Sequence, residues 1–157
     1  MTHDLEVAAS RSYPVGVARA FDAVLPLPLP FLFSRRYAAL PPIREVRDQD
    51  GEWGALGQTR TIVLADGGTM RETLTGLDRP ASFGYRIDQV SGPMRPLASS
   101  IDGLWTFEKA GTGVRVTWSW TVHPSSSATA LLMPAFARMW RGYARQALEL
   151  LEQALVD

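Results

Sequence analysis

Arg60, Glu72 and Tyr85 are the residues of this sequence whose types and spacing are best suited to chemistry. Each lies in a stretch where polar and apolar residues alternate, which is typical of a strand with one face in the core. On the inner face of a sheet, this cluster could orient a carbonyl or hydroxyl group of a ligand, with Tyr85 or Glu72 as acid or base. The alternative is a structural ion pair capped by a phenol, because a buried carboxylate needs a partner.

The apolar neighbours of these three residues predict that they point inward. Alternate residues of a strand point to the same face of the sheet, and each of the three polar residues is an even number of positions away from apolar ones in its strand. These apolar residues are Ile62, Leu64, Met70, Leu74, Phe83 and Ile87. If these apolar sets face the core, the turn at Asp66-Gly-Gly must contain an odd number of residues. A three-residue loop with a glycine in the left-handed region meets that requirement. We therefore predict that Arg60 and Glu72 face each other across neighbouring strands, with Tyr85 close by.

Aromatic side chains are expected around this cluster. Val116 places Trp118 and Trp120 on the same inner face. The further candidates for the lining of a ligand cavity are Trp105, Phe107, Phe136, Met139, Trp140 and Tyr143. Each of them could instead be an ordinary core residue. We predict a cavity between the sheet and the terminal helix, lined by Trp118, Trp120, Phe136, Met139 and Tyr143.

Metal and thiol chemistry are poorly supported by the composition. The chain has no cysteine, which excludes thiolate nucleophiles and disulfides. Its two histidines, His3 and His123, are too few for most histidine-rich metal sites, so we expect no metal and no organic cofactor. His123 precedes Ser125 to Ser127, but it lies at a strand end with outward parity and does not suggest a catalytic triad. The serine cluster is instead predicted to cap the last helix.

Length and charge restrict the class of protein. With 157 residues, the chain is expected to form a single domain over residues 1–157. Sixteen basic and sixteen acidic residues cancel, without a basic cluster, so nucleic acid is not an expected partner. The most apolar stretch, Ala23 to Phe33, is short and interrupted by prolines, so membrane insertion is not expected. No signal peptide is visible, and we predict a cytoplasmic protein.

The periodicity predicts the order of elements. A strand reaches about Tyr13, a short helix ends by Leu25, and the segment after Pro26 begins in an extended or irregular form and turns helical again from Phe31 to Tyr37. Pro26 to Phe33 could form a lid or simply pack the short helices. The remaining strands are predicted at Ile43 to Asp48, Gln58 to Leu64, Thr69 to Leu77, Ala81 to Gln89, Leu97 to Lys109 and Val114 to His123.

A long terminal helix is predicted from about Thr129 to Val156. It carries two neighbouring apolar stripes, one starting at Leu132 and one at Met133, opposite a charged face. A flat sheet could not cover so wide an apolar face. A sheet wrapped around a cavity, or a homodimer contact, would do so.

Four motifs carry a resemblance to a known family: Gly57-Gln-Thr-Arg-Thr-Ile-Val-Leu-Ala-Asp-Gly, Arg71-Glu-Thr-Leu, Phe83-Gly-Tyr-Arg-Ile and Val116-Thr-Trp-Ser-Trp. With the β-α-α-β-β-β-β-β-β-α order, they resemble the bacterial polyketide cyclase/dehydrase-like branch of the SRPBCC superfamily, which includes START lipid-transfer domains and birch-pollen-allergen-like proteins. The resemblance covers essentially the whole chain. It implies an α+β helix-grip fold, in which a curved antiparallel sheet of about seven strands wraps around a long C-terminal helix, with two short helices after strand one.

Members of this superfamily range from carriers to enzymes and receptors, so the fold alone does not decide function. The first hypothesis is a module that binds an apolar, cyclic or lipid-like small molecule in an internal cavity. The alternative is a polyketide cyclase/aromatase-like enzyme that promotes cyclisation or dehydration without a metal. A third hypothesis is an interaction protein that dimerises through the wide face of the terminal helix.

Overall fold

The computed structural model describes residues 4–156, which form one antiparallel sheet and four helices. The sheet has the spatial order β1-β7-β6-β5-β4-β3-β2. Its strands are β1 Leu5–Tyr13, β2 Ile43–Arg47, β3 Thr59–Leu64, β4 Thr69–Asp78, β5 Ser82–Ser91, β6 Ala98–Ala110 and β7 Gly113–Pro124. The helices are α1 Val17–Val24, α2 Leu29–Leu32, α3 Ser127–Ala130 and α4 Met133–Leu155. This α+β helix-grip architecture confirms the predicted fold, with strand ends within two residues of those expected.

The turn between β3 and β4 has the predicted geometry. Leu64 N donates to Gly68 O at 2.8 Å, and the three residues between them include Gly67 at a φ of 91°. The odd loop length keeps the apolar faces of both strands on the same side of the sheet. As a result, Arg60 lies directly opposite Glu72.

Two helix predictions are wrong in their bounds. The helix after the prolines covers Leu29–Leu32, not Phe31 to Tyr37, because Pro30 fits the first helical turn and residues 37 and 40 form an antiparallel bridge instead. The terminal helix is divided between α3 and α4. Pro134 explains this break, since its ring would clash with the carbonyl of Ala130 in a continuous helix.

The serine cluster caps α3, the first part of the predicted terminal helix, and not α4, whose N-cap is Leu132. Ser126 is the N-cap of α3 and accepts a hydrogen bond from Thr129 N at 3.2 Å, while Thr129 Oγ1 accepts one from Ser126 N. These reciprocal bonds satisfy backbone donors that the first helical turn leaves free.

Helix α4 lies against the concave side of the sheet and buries most of both apolar stripes. Trp140, Ala144, Leu151 and Leu155 are completely buried, and Tyr13 donates a hydrogen bond from β1 to the carbonyl of Leu148. The wide apolar face is therefore covered largely within one chain. None of the described helices is long and apolar enough to cross a membrane.

Candidate functional site

The predicted ion pair is formed and buried. Arg60 Nε donates to Glu72 Oε1 at 2.7 Å, and the two residues are 4% and 3% exposed. Arg60 is also held from the side of the β2–β3 connection, where its Cζ lies 3.8 Å from the centre of the Trp53 ring and its Nη1 donates to Gln49 Oε1 at 3.3 Å. Sequence reasoning missed Trp53 and Gln49, because an irregular connection has no periodicity from which contacts could be inferred.

Burial changes the acid–base character of Glu72. Removal from water disfavours the carboxylate and raises the pKa of Glu72 above its ordinary value, although the charge and hydrogen bond of Arg60 oppose the shift. Glu72 therefore takes up a proton at a higher pH than a surface carboxylate does. A carboxyl group of this kind is suited to proton transfer as well as to pairing with arginine.

Tyr85 lies on the same inner face, and its hydroxyl is the acceptor of two indoles. Trp118 Nε1 and Trp120 Nε1 each donate to Tyr85 Oη at 2.8 Å. Burial raises the pKa of Tyr85, and the nearby charge of Glu72 acts in the same direction. Tyr85 is therefore a neutral phenol throughout the physiological pH range.

The position of Tyr85 depends on a glycine in the neighbouring strand. Tyr85 pairs with Gly103 of β6, which in turn pairs with Trp120 of β7. A Cβ atom on Gly103 would lie 2.0 Å from Tyr85 Cζ, so the phenol ring lies across the space that a side chain would fill. The glycine lets the Tyr85 hydroxyl reach over β6 to the tryptophans of β7.

The aromatic residues form a continuous stacked layer. Phe83 stacks on Trp105 at 6.2 Å between ring centres, and Trp105 stacks on Trp118 at 5.5 Å. Trp118 then meets Trp140 of α4 at 4.8 Å. Such contacts fix the rings in one arrangement and join the sheet to the helix.

A cavity of about 80 Å³ lies between this layer, the ion pair and α4. Residues 25–41 form its remaining wall through side chains that are mostly leucine, together with Phe33 and Pro41. An apolar cavity of roughly 150 Å³ accommodates benzene, so a larger guest requires the wall here to move. We call residues 25–42 the cover segment.

One hydrogen bond and two aromatic contacts attach the cover segment to α4. Tyr143 Oη donates to the carbonyl of Pro41 at 2.9 Å, and its ring stacks on Phe33 at 5.6 Å between centres. Tyr37 lies flat on Gly142, where an added Cβ would be 2.1 Å from Tyr37 Cζ. The cover segment thus rests on α4 through aromatic rings and one side-chain hydrogen bond.

Most of the predicted site residues border this cavity. Those that line it are Arg60, Glu72, Tyr85, Trp105, Trp118, Trp120, Trp140 and Tyr143. Phe107, Phe136 and Met139 do not, which corrects their predicted position. Phe107 packs against Phe21 and Phe83. Phe136 instead stacks on Trp120 at 6.5 Å and Met139 packs at the edge of the core, because the cavity meets α4 only at Trp140 and Tyr143.

The remaining lining residues are not among the predicted site residues, although four of them lie in the segment from Pro26 to Phe33 that the sequence predicts as a possible lid. They are Val24, Leu25, Leu27, Leu29, Leu32, Phe33, Leu40, Pro41, Ile43, Ile62, Leu64, Met70, Phe83, Ile87 and Met94. The parity of the strand residues among them placed them correctly on the inner face. Parity does not distinguish a side chain that borders a cavity from one that packs against another side chain.

His123 lies away from the cavity. Its Nδ1 is 3.0 Å from Asp4 Oδ1 and its Nε2 is 2.8 Å from Asp102 Oδ2. The hydrogen bond to Asp102, helped by Asp4, raises the pKa of His123. Among residues 4–156, no three His, Cys, Asp or Glu side chains are grouped as a metal site. His3 lies outside the described residues.

The sheet, the long helix and the aromatic layer between them define a helix-grip protein of the SRPBCC type. The sequence matches the family model "Polyketide cyclase / dehydrase and lipid transport" over residues 4–156, and the chain belongs to that family. A comparison with curated proteins finds no match.

Several solved structures share the fold at low identity. Ara h 8.0201 is 17% identical with a TM-score of 0.72, and the match covers 98% of this chain and 99% of that one. Ginseng major latex-like protein 151 from Panax ginseng is 14% identical with a TM-score of 0.68, over 98% and 99% of the two chains. DynU16, from the dynemicin biosynthetic locus, is 13% identical with a TM-score of 0.62, over 94% of this chain and 47% of that one.

Proposed function

We propose that the protein binds an apolar small molecule, cyclic or lipid-like, in the cavity between the sheet and α4. The observation that carries this proposal is a cavity walled by aromatic and aliphatic side chains around one buried polar cluster, Arg60, Glu72 and Tyr85. Binding sites for small molecules typically combine apolar walls with a few polar groups that fix orientation. The family description, which includes lipid transport, supports the same conclusion.

The size of the cavity implies that binding is coupled to movement of the cover segment. At about 80 Å³, the cavity has roughly half the volume of an apolar cavity of about 150 Å³ that holds benzene. The sheet side is fixed by strand pairing and by the stacked tryptophans. The cover segment is held by Tyr37 and Tyr143, by the contact of the Phe33 ring with Trp118, and by two backbone bonds, from Ile43 N to Phe33 O and from Ala65 N to Pro42 O. It has no continuous strand pairing of the kind that fixes the sheet, and it is the wall that ligand entry displaces.

A cavity-filling substitution tests the proposal. Ile62→Phe adds volume at a buried lining position, whereas Leu104→Phe makes the same kind of change at an exposed position outside the cavity. Titration of tetralin, followed by tryptophan fluorescence, should show saturable one-to-one binding to the parent and to Leu104→Phe. Ile62→Phe should weaken binding about tenfold or more. Failure of the parent to bind, or equal binding by all three proteins, would contradict a site in this cavity.

A second candidate function is catalysis in the same cavity, and the raised pKa of buried Glu72 favours it. A carboxylate with increased basicity could remove a proton next to a ligand carbonyl, as ring closure or dehydration requires. The similarity in fold to DynU16, from a biosynthetic locus, agrees with this alternative. In deuterium oxide the parent should accelerate exchange at the carbon next to the carbonyl of α-tetralone, and Glu72→Gln should not. Equal exchange rates would exclude this role for Glu72.

A further inference from the structure

The hydroxyl of Tyr85 has no free capacity to accept a hydrogen bond. A hydroxyl oxygen has two acceptor positions, and an indole N–H is a donor only. Trp118 Nε1 and Trp120 Nε1 both donate to Tyr85 Oη at 2.8 Å. The Tyr85 hydroxyl hydrogen must therefore point away from both tryptophans, and the phenol can only donate to any further group.

Within residues 4–156, no oxygen accepts the Tyr85 hydroxyl hydrogen. Trp140 supplies a second, independent donor of this kind. It is completely buried, it lines the same cavity, and its Nε1 has no hydrogen-bond partner among the described residues. Buried donors without an acceptor are costly, and they are uncommon in folded proteins.

The donor at Tyr85 is held in place before any ligand arrives. Gly103 leaves room for the ring to lie across β6, and the two indole bonds fix the hydroxyl above β7. Trp118 is itself fixed between Trp105 and Trp140. A rigid donor in an apolar cavity binds an acceptor without first having to be ordered.

We infer that the cavity selects an apolar ligand that carries an unprotonated oxygen acceptor, such as a ketone, aldehyde or ester carbonyl, bound by the Tyr85 hydroxyl. The inference rests on the proposed function and specifies the chemistry of its ligand. A pure hydrocarbon leaves the Tyr85 donor unpaired. An alcohol brings a hydroxyl hydrogen that needs an acceptor, and Tyr85 cannot accept it because both of its acceptor positions are occupied by indoles. Within the cluster, only Glu72 could accept that hydrogen.

A matched pair of probes tests this inference. α-Tetralone and tetralin share the same bicyclic skeleton and differ in one carbonyl group. Both are titrated into the parent and into Tyr85→Phe. This variant removes the hydroxyl and, with it, the acceptor of Trp118 and Trp120, and the tetralin titration measures the effect of that second loss on the cavity. The affinity for α-tetralone should fall about fivefold or more in Tyr85→Phe, because a buried hydrogen bond is lost. The affinity for tetralin should change less than twofold.

A second measurement does not depend on the variant. The carbonyl carbon of ¹³C-labelled α-tetralone bound to the parent should resonate downfield of its position in cyclohexane, because the oxygen accepts a hydrogen bond. A resonance equal to that in cyclohexane would overturn the inference.

The outcomes separate the two proposals. If both probes bind the parent and lose affinity equally in Tyr85→Phe, the acceptor inference is overturned and the apolar site remains. If neither probe binds the parent, the proposed function fails and the inference fails with it.

Discussion

Removal of Glu72 should destabilise the protein strongly, whether or not the residue has a catalytic role. Glu72→Ala leaves the Arg60 guanidinium buried without its carboxylate, in a site where both side chains are about 95% hidden from solvent. Breaking a buried pair in this way costs about 3–5 kcal/mol in the free energy of unfolding. In a chain of this length, 1 kcal/mol corresponds to a shift in melting temperature of about 2–4 °C, so the expected loss is roughly 6–20 °C.

Glu72→Gln separates charge from hydrogen bonding. The amide keeps the size of the side chain and offers Arg60 an oxygen acceptor, so this variant should melt between the parent and Glu72→Ala. The melting temperatures of the parent, Glu72→Ala and Glu72→Gln are measured at pH 7. Glu149→Ala, which removes an exposed carboxylate on α4, is the matched control. A melting temperature of Glu72→Ala equal to that of the parent would refute the buried-pair account.

The pH dependence of the same proteins gives a second test, because the folded-state pKa of Glu72 is raised above 4.5. For a carboxyl group with a raised pKa, the folded state holds its proton more tightly than the unfolded state does. The stability that this proton contributes is fully present below pH 4.5 and is lost as the pH rises through the folded-state pKa. Stability measured against Glu72→Gln should therefore decline as the pH rises above 4.5. A flat difference would show that Glu72 has an ordinary pKa.

Two further predictions concern parts of the structure outside the ion pair. The pKa of His123 is raised above 6.5, so protonated His123 stabilises the folded state below pH 6.5, and this stabilisation is lost as the pH rises through the folded-state pKa. The free energies of unfolding of the parent and of His123→Gln, measured with a chemical denaturant, should therefore differ less at high pH. A difference that does not change with pH would contradict this. Gly142→Ala should push Tyr37 off α4 and accelerate hydrogen exchange at the Leu40 amide, which donates to the carbonyl of Tyr37. The double variant Gly142→Ala/Tyr37→Ala should remove the clash and recover stability. Unchanged exchange at Leu40 in Gly142→Ala would show that the contact is unimportant.

The sheet and the ion pair were predictable because a period of two has only two possible phases. Once Ile62 and Met70 are placed in the core, Arg60 and Glu72 must point inward, and the odd turn at Asp66 follows. The same reasoning placed Trp118 and Trp120 on the inner face, where both donate to Tyr85.

The parts that were missed depend on contacts without a sequence period. Trp53 reaches Arg60 from an irregular connection, and its position follows from the path of the whole loop. Phe136 continues an apolar stripe of the terminal helix, which predicts burial. Such a stripe does not show at which of its residues the sheet is in contact with the helix and at which a cavity separates them. Gly103 and Gly142 are glycines inside a strand and a helix, and such glycines often mark a close approach of another group, so these two positions do carry a sequence signal for the contacts with Tyr85 and Tyr37.

The methionine methyl groups offer the most direct test of a ligand site in this cavity. Met70 and Met94 line the cavity, whereas Met133 and Met139 belong to α4 and do not, so the protein contains its own controls. In ¹³C-methyl spectra recorded during titration with α-tetralone, the Met70 and Met94 resonances should shift in a saturable way and those of Met133 and Met139 should stay in place. Unchanged Met70 and Met94 resonances at saturating ligand, or equal shifts at all four positions, would contradict binding in this cavity.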